Sequence, residues 1–139
     1  MYLLGNREKR RGIGMNSNIG KDELFAILRT VDVNVDDLAT RLMGNMNLIV
    51  KFLRRFPEDK SYRQLVCAIE NGECEMAFRA AHTLKGVVAN LSMTKLYSLV
   101  GSQVEALRDG DLQGGTNIMP LIVDEYNKIV NVINSIKWE

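Results

Sequence analysis

The sequence is poor in residues that mark several protein classes. Among its 139 residues only two are proline, two are cysteine and one is histidine. Two cysteines without a C-x-x-C motif do not make a disulfide scaffold, and they fit a reducing compartment. A single histidine excludes a His-rich metal site and any mechanism that needs two imidazoles. Scarce proline disfavours a turn-rich β architecture and favours helices.

Neither charge nor hydropathy points to a nucleic acid or a membrane. Lys and Arg total 18 and Asp and Glu total 17, for a formal charge of +1. A nucleic-acid binder or a polybasic membrane module would carry a basic excess. No apolar run approaches the roughly 18 residues of a transmembrane helix. We therefore expect a cytoplasmic protein that binds neither nucleic acid nor membrane.

The chain is long enough for one domain with its own core. Residues 1–20 carry four basic residues against one acid, with interspersed glycines. We expect this segment to be a disordered basic extension. Met15 is an alternative initiator, in which case residues 1–14 would not belong to the native chain. Residues 21–139 are expected to form the folded domain.

Apolar residues in this second part recur with a helical period. The pattern predicts helices at 22–30, from 35 to Gly44, and at 46–55, 61–71, 73–90, 94–108 and 117–137. Because the connections are short, successive helices should pack antiparallel. The predicted fold is all-α: an antiparallel four-helix bundle with one or two short N-terminal helices, in which 46–71 forms one broken arm.

Several local signals accompany these helices. Asn34 should cap the second helix, and the spacing of Ser61 and Gln64 is that of a capping box. Pro120 should lie in the first turn of the last helix, where proline is tolerated. Five methionines are interpreted as core residues: Met43, Met46, Met76, Met93 and Met119.

The predicted helix 73–90 has one apolar face. With about 100° per residue, an arc centred near Leu84 collects the apolar side chains Ala77, Ala80, Ala81, Val87, Val88 and Leu91. His82 falls on the opposite side, with Lys85 and Gly86 one turn further along. Glycine in mid-helix costs about 1 kcal/mol relative to alanine. An exposed Gly86 beside an exposed histidine therefore indicates that a partner approaches the backbone, and Ala89 extends this flat patch.

These residue types fit phosphoryl transfer better than other chemistry. A neutral imidazole is a competent nucleophile at pH 7. Phosphoryl transfer needs chiefly positioning and charge neutralisation, which the ammonium of Lys85 would provide. No residues recognisably bind ATP or Mg²⁺, so we expect no cofactor and no metal site, and the partner must supply the metal and the phosphoryl donor.

The hexapeptide from Ala81 to Gly86, AHTLKG, resembles the signature of histidine-containing phosphotransfer domains. The resemblance extends over about residues 30–110, including Asn71-Gly72 before the signature and Leu96-Tyr97 after it. It implies that His82 is phosphorylated, that Lys85 stabilises the phosphoryl group, and that Gly86 gives a receiver domain room to dock. Many relatives have glycine where this chain has Ala89 and Ser92. One interpretation of Ser92 is that it caps the next helix. Gln103 is out of register with a glutamine that contacts the imidazole in some relatives.

The resemblance implies a phosphorelay intermediate that takes a phosphoryl group from a receiver aspartate onto His82 and passes it to another receiver. Phe78 and Arg79 complete the expected docking patch, although partial burial of Phe78 against a neighbouring helix is an equal alternative. The expected partners are response-regulator receiver domains or a hybrid sensor histidine kinase, the protein being a monomer without autokinase activity. The alternative function is a phosphorylation-independent adaptor that binds a receiver through the same face.

Overall fold

The structure, a computed structural model, describes residues 19–138. The described residues form seven α-helices and one 3₁₀ turn: α1 (Lys21–Leu28), α2 (Val35–Arg41), α3 (Met46–Arg55), the 3₁₀ turn (Phe56–Glu58), α4 (Lys60–Glu70), α5 (Cys74–Asn90), α6 (Thr94–Arg108) and α7 (Leu112–Ser135). They include no strand. The expected extension at residues 1–20 lies almost wholly outside this range.

Four consecutive helices, α4 to α7, pack antiparallel around one core, which confirms the predicted four-helix bundle. α5 packs against both α4 and α6, and α7 closes the bundle against α6 and α4. The core is made of fully buried aliphatic side chains from each helix, including Leu65, Leu84, Val88, Leu96, Val100, Ile122 and Ile129. The helix that carries the single histidine is therefore held from two sides.

The arm predicted at 46–71 is broken, and its second half starts differently from the prediction. The 3₁₀ turn at Phe56–Glu58 separates α3 from α4. Asp59 caps α4 by accepting a 2.8 Å hydrogen bond from the backbone N–H of Tyr62. The capping box predicted for Ser61 and Gln64 is wrong, because the Ser61 hydroxyl is itself a donor to the Asp59 carboxylate. The Asp59 carboxylate, two residues earlier, is the acceptor that the helix uses.

The last helix begins five residues earlier than predicted. Asp111 caps α7 through the N–H of Gly114 at 2.9 Å, so Gly114 and Gly115, which the prediction left between the helices 94–108 and 117–137, are helical. Gly115 is required by packing, since a Cβ there would lie 2.6 Å from a Leu107 methyl carbon. Pro120 is consequently an interior residue of α7, and its predicted place in the first turn is wrong.

The two N-terminal helices attach to the turn between α5 and α6. As predicted, Asn34 caps α2 through the N–H of Asp37 at 3.1 Å. Its own N–H donates to the carbonyl of Ser92 at 2.9 Å. Asp32 accepts from the N–H groups of Lys95 and Leu96 at 2.9 and 2.8 Å, and so caps α6 from a distant part of the chain.

Ser92 does not cap α6, contrary to one interpretation of the sequence. Its backbone adopts a left-handed conformation with φ of 55°, which ends α5. Its hydroxyl donates a 2.7 Å hydrogen bond to the carboxylate of Asp37, which also accepts from Arg41 at 2.7 Å. The hydrogen bond from Arg41 and, second to it, the one from Ser92 favour the charged carboxylate. The pKa of Asp37 therefore lies below its ordinary value.

Two of the five methionines predicted to be in the core are exposed. Met93 and Met119 are buried and Met46 is half-buried, but Met43 is 90% exposed and Met76 is 58% exposed. Met43 follows the end of α2 with φ of 56°, and this left-handed turn directs its side chain away from the apolar face of the helix. Met76 lies outside the buried stripe of α5.

We expect the ionised Asp37 carboxylate to stabilise the fold at pH values above its ordinary pKa of about 3.9. This stabilisation should be lost as the pH falls through the lowered pKa that Asp37 has in the folded state. The Asp37→Asn variant should therefore be less stable than the wild type near neutral pH, and this difference should shrink at about pH 3. Urea unfolding at both pH values measures the difference.

Asp36→Asn is the matched control, because the neighbouring Asp36 side chain is 93% exposed and lies 3.7 Å from Arg29. Its effect should be small at both pH values, since exposed ion pairs contribute little. A difference for Asp37→Asn of the same size at both pH values would contradict the assigned role of its charge.

Candidate functional site

The helix α5 places His82 on the surface because its apolar residues occupy the other side. Ala77, Ala81, Leu84 and Val88 are buried in the bundle, and His82 is exposed. Val87, assigned to the apolar arc from the sequence, is only half-buried at the edge of the stripe. The burial pattern thus orients the imidazole toward solvent.

Contacts with α6 define the surroundings of the imidazole. The end of the Lys85 side chain lies against α6 at Gly101, where an added Cβ would be 3.7 Å from the Lys85 Cε atom. The end of the Arg108 side chain reaches Phe78, with its guanidinium carbon 5.5 Å from the centre of the Phe78 ring. We call the surface built from the two helices the α5–α6 face; it comprises Phe78, His82, Lys85, Gly86 and Ala89 from α5 and Tyr97, Gly101 and Arg108 from α6.

Phe78 contacts the imidazole from the N-terminal side. The two ring centres are 6.1 Å apart and the rings are tilted by 47°. Phe78 is half-buried, so both interpretations of this residue hold in part: it packs on a neighbouring helix and also lines the histidine. Arg108 covers its ring and forms a 2.6 Å ion pair with Glu105.

Lys85 is a cation without a carboxylate partner among residues 19–138. Its ammonium lies over the ring of Tyr97, 5.4 Å from the ring centre. A cation–π contact at an exposed site contributes only about 0.5–1 kcal/mol. The ammonium is therefore held weakly and is available to an incoming anion.

Gly86 is exposed in mid-helix, and nothing lies within 4 Å of the position that a Cβ would occupy. The bundle itself does not require glycine there. Ala89, one turn further, is half-buried and small. Together they leave a strip of main chain open beside the histidine.

Arg79 is exposed but its charge is already paired. Its guanidinium forms a 2.7 Å ion pair with Glu75 one turn earlier on α5. Arg79 is also absent from the contacts around the imidazole that define the α5–α6 face. Of the residues predicted to form the docking patch, Arg79 is thus the most peripheral.

Gln103 lies inside the bundle and away from the imidazole. Its amide donates to the carbonyl of Gly115 at 3.0 Å and contacts the sulfur of Met119 at 3.3 Å, both on α7. Its Oε1 atom has no hydrogen-bond partner among the described residues. In the sequence Gln103 is out of register with the glutamine of some relatives. In the structure its side chain faces α7 and so lies away from His82.

Tyr97 and Arg108 belong to the site and were not predicted from the sequence. Each lies on α6 and contacts a predicted α5 residue through the end of a long side chain: Arg108 reaches the Phe78 ring, and Lys85 reaches the Tyr97 ring. The helical period of α5 gives no signal for such contacts, because they depend on how two helices pack.

The arrangement combines a solvent-facing nucleophile, a weakly held cation and an open backbone. It includes no group of three or more metal-ligating side chains within residues 19–138. The geometry suits in-line transfer of a group that arrives on a docked partner. None of the helices in that range is long and apolar enough to cross a membrane.

Comparison of the chain with family models, with curated proteins and with solved structures gave no match.

We expect the Gly86→Ala substitution to stabilise the protein by about 0.5–1 kcal/mol, because alanine loses less conformational entropy in a helix and its methyl group meets no neighbour. Urea unfolding of the two proteins measures this difference. Unchanged or lower stability would mean that the fold itself requires glycine at this position.

Proposed function

We propose that this chain is a phosphorelay intermediate that carries a phosphoryl group on His82. One observation carries the proposal: the single imidazole faces solvent from a rigid helix, with the Lys85 side chain and the bare backbone at Gly86 one turn away. The AHTLKG resemblance supports the same function. The donor and the acceptor are receiver domains, or the receiver of a hybrid sensor kinase, that dock on the α5–α6 face.

The transfer step needs only a nucleophile from this chain. A ring nitrogen of His82 attacks the phosphorus of an aspartyl phosphate on the receiver. The N–P bond forms as the P–O bond to the aspartyl carboxylate breaks, the carboxylate leaves, and the imidazole N–H proton goes to solvent. Transfer to the next receiver reverses these events. The protein is thus a phosphocarrier without autokinase activity and not an ATP-dependent enzyme.

Lys85 and Gly86 have separate roles in this step. The Lys85 ammonium moves to the transferred group and balances its negative charge, which is the main requirement of phosphoryl transfer. Gly86 lets the rim of the receiver reach the helix backbone. The Mg²⁺ ion that neutralises the remaining charge comes with the receiver, and the compartment that holds such partners is the cytoplasm.

Incubation with a phosphorylated receiver should label the wild-type protein with an acid-labile, base-stable phosphoryl group. His82→Gln should abolish the label, because no other histidine exists in the chain. Lys85→Ala should slow the labelling by about ten- to a hundredfold while leaving the fold intact, since a half-buried lysine without a carboxylate partner among residues 19–138 contributes little to stability but much to the transition state.

Circular dichroism of each variant provides the folding control. The protein incubated with ATP alone should stay unlabelled, since the proposal includes no kinase activity. A wild type that accepts no label from a receiver panel, or a His82→Gln variant that labels, would refute the proposal.

Gly86→Gln should weaken receiver binding at least tenfold, because a long side chain would fill the space that the docked receiver needs. Gly86→Ala is the matched control, since it shares the loss of glycine but adds only a methyl group, and it should bind nearly as well as the wild type. Isothermal titration calorimetry with an unphosphorylated receiver measures both affinities. Equal affinities for the two variants would contradict close docking at this point.

A phosphorylation-independent adaptor is the second candidate function. The open strip at Gly86 and the half-buried Phe78 ring would support docking even without chemistry at His82. The two candidates differ in what His82→Ala does. In an adaptor this variant retains the whole biological activity together with receiver binding, whereas in a phosphorelay it retains binding and loses the transfer.

A further inference from the structure

The side chain of Lys85 extends from α5 onto α6. Its Cε atom would be 3.7 Å from a Cβ added at Gly101, and its ammonium is 5.4 Å from the centre of the Tyr97 ring. Gly101 and Tyr97 are four residues apart on α6 and therefore share one surface of that helix.

Two features of α6 hold the lysine in this direction. Gly101 has no side chain, so the aliphatic part of Lys85 lies against the α6 backbone there. The Tyr97 ring then receives the ammonium at 5.4 Å. Since no carboxylate among residues 19–138 pairs with Lys85, the ring is the interaction that determines where its charge rests.

We infer that Tyr97 is a positioning residue that competes with the phosphoryl group for the ammonium of Lys85. In the resting protein the ring holds the charge against α6. When a phosphoryl group arrives on His82, the ammonium must leave the ring to reach it. This inference rests on the proposed function and adds to it a residue that sets how readily the cation is recruited.

The competition is weak, which makes it suited to tuning a rate. Leaving an exposed aromatic ring costs an ammonium the free energy of one cation–π contact, which corresponds to about a two- to fivefold change in rate. The ring of Tyr97 is 42% exposed, so the contact is not strengthened by burial. Removing the ring should therefore speed the phosphorylation of His82 by this factor.

A small phosphoryl donor tests this inference without knowledge of the receiver. Phosphoramidate reacts when a ring nitrogen of His82 attacks its phosphorus: the new N–P bond forms, the P–N bond to the ammonia group breaks, and the departing ammonia takes the imidazole proton as ammonium. Initial rates of labelling are measured on the full chain for the wild type, Tyr97→Leu and Tyr97→Phe. The same rates are measured for Lys85→Met with and without Tyr97→Leu.

Tyr97→Leu should label two to five times faster than the wild type, whereas Tyr97→Phe, which keeps the ring, should label at the wild-type rate. In the Lys85→Met background Tyr97→Leu should change nothing, because the cation for which the ring competes is gone. Such non-additivity separates positioning from a general effect on the bundle.

Three results would overturn the inference. If Tyr97→Leu is labelled at the wild-type rate, the ring does not compete for the ammonium. If Tyr97→Leu accelerates labelling equally in the Lys85→Met background, the ring acts through a group other than Lys85. Both of these leave the proposed function standing. A wild type whose histidine accepts no label from phosphoramidate or from any receiver refutes the proposed function and the inference together.

Nuclear magnetic resonance gives an independent measurement of the same movement. The Cε protons of Lys85 should resonate upfield in the resting protein because of the Tyr97 ring current. On phosphorylation they should move downfield, and in Tyr97→Leu they should start there. Resonances of Lys85 that do not change on phosphorylation of the wild type would contradict recruitment of the ammonium.

Discussion

The one-sided burial of α5 is the constraint on which the rest of the site depends. One side presents Leu84 and Val88, both fully buried, to the interior of the bundle. Burying each such side chain contributes about 1.5–3 kcal/mol relative to exposure, so a rotation of α5 that hid His82 would cost several kcal/mol. The imidazole is therefore held in solvent by residues that never touch it. A nucleophile positioned in this way keeps its orientation when partners bind and dissociate.

The turn between α5 and α6 provides the second constraint, because it determines which α6 residues meet the histidine face. Ser92 adopts a left-handed conformation, and α2 holds it: Asn34, the cap of α2, donates to its carbonyl, and Asp37 accepts from its hydroxyl. Asp32 caps the beginning of α6 from the same segment. The short helices at the N-terminus thus have a structural role in the site, although they contribute no residue to it. By clamping the turn they hold the register that brings Tyr97 to Lys85.

Sequence patterns predicted the helices well where one local signal acted alone, and poorly where two signals competed. The bounds of α3 agree with the predicted 46–55, and Asn45 caps this helix through the N–H of Leu48. The bounds of α6 also agree with the predicted 94–108, although its cap, Asp32, comes from a distant part of the chain. At α4 two acceptors were available, and the Asp59 carboxylate is used in preference to the Ser61 hydroxyl. At α7 the glycines indicated a loop, but Gly115 is helical because Leu107 occupies the space of its missing side chain. That contact joins two helices and has no trace in the local sequence.

Local sequence by itself determined the all-α class, the apolar stripe of α5 and the outward direction of His82, since these follow from a repeat of 3.6 residues that any window of the chain contains. The local sequence also places Lys85 and Gly86 close to the histidine, because residues three and four apart share a helix surface. Only the tertiary structure decided where the Lys85 ammonium rests, that Gln103 faces α7, and that Arg108 covers Phe78. Those facts depend on the relative position of two helices, which is set by packing and by the clamped turn, and helical periodicity carries no information about it.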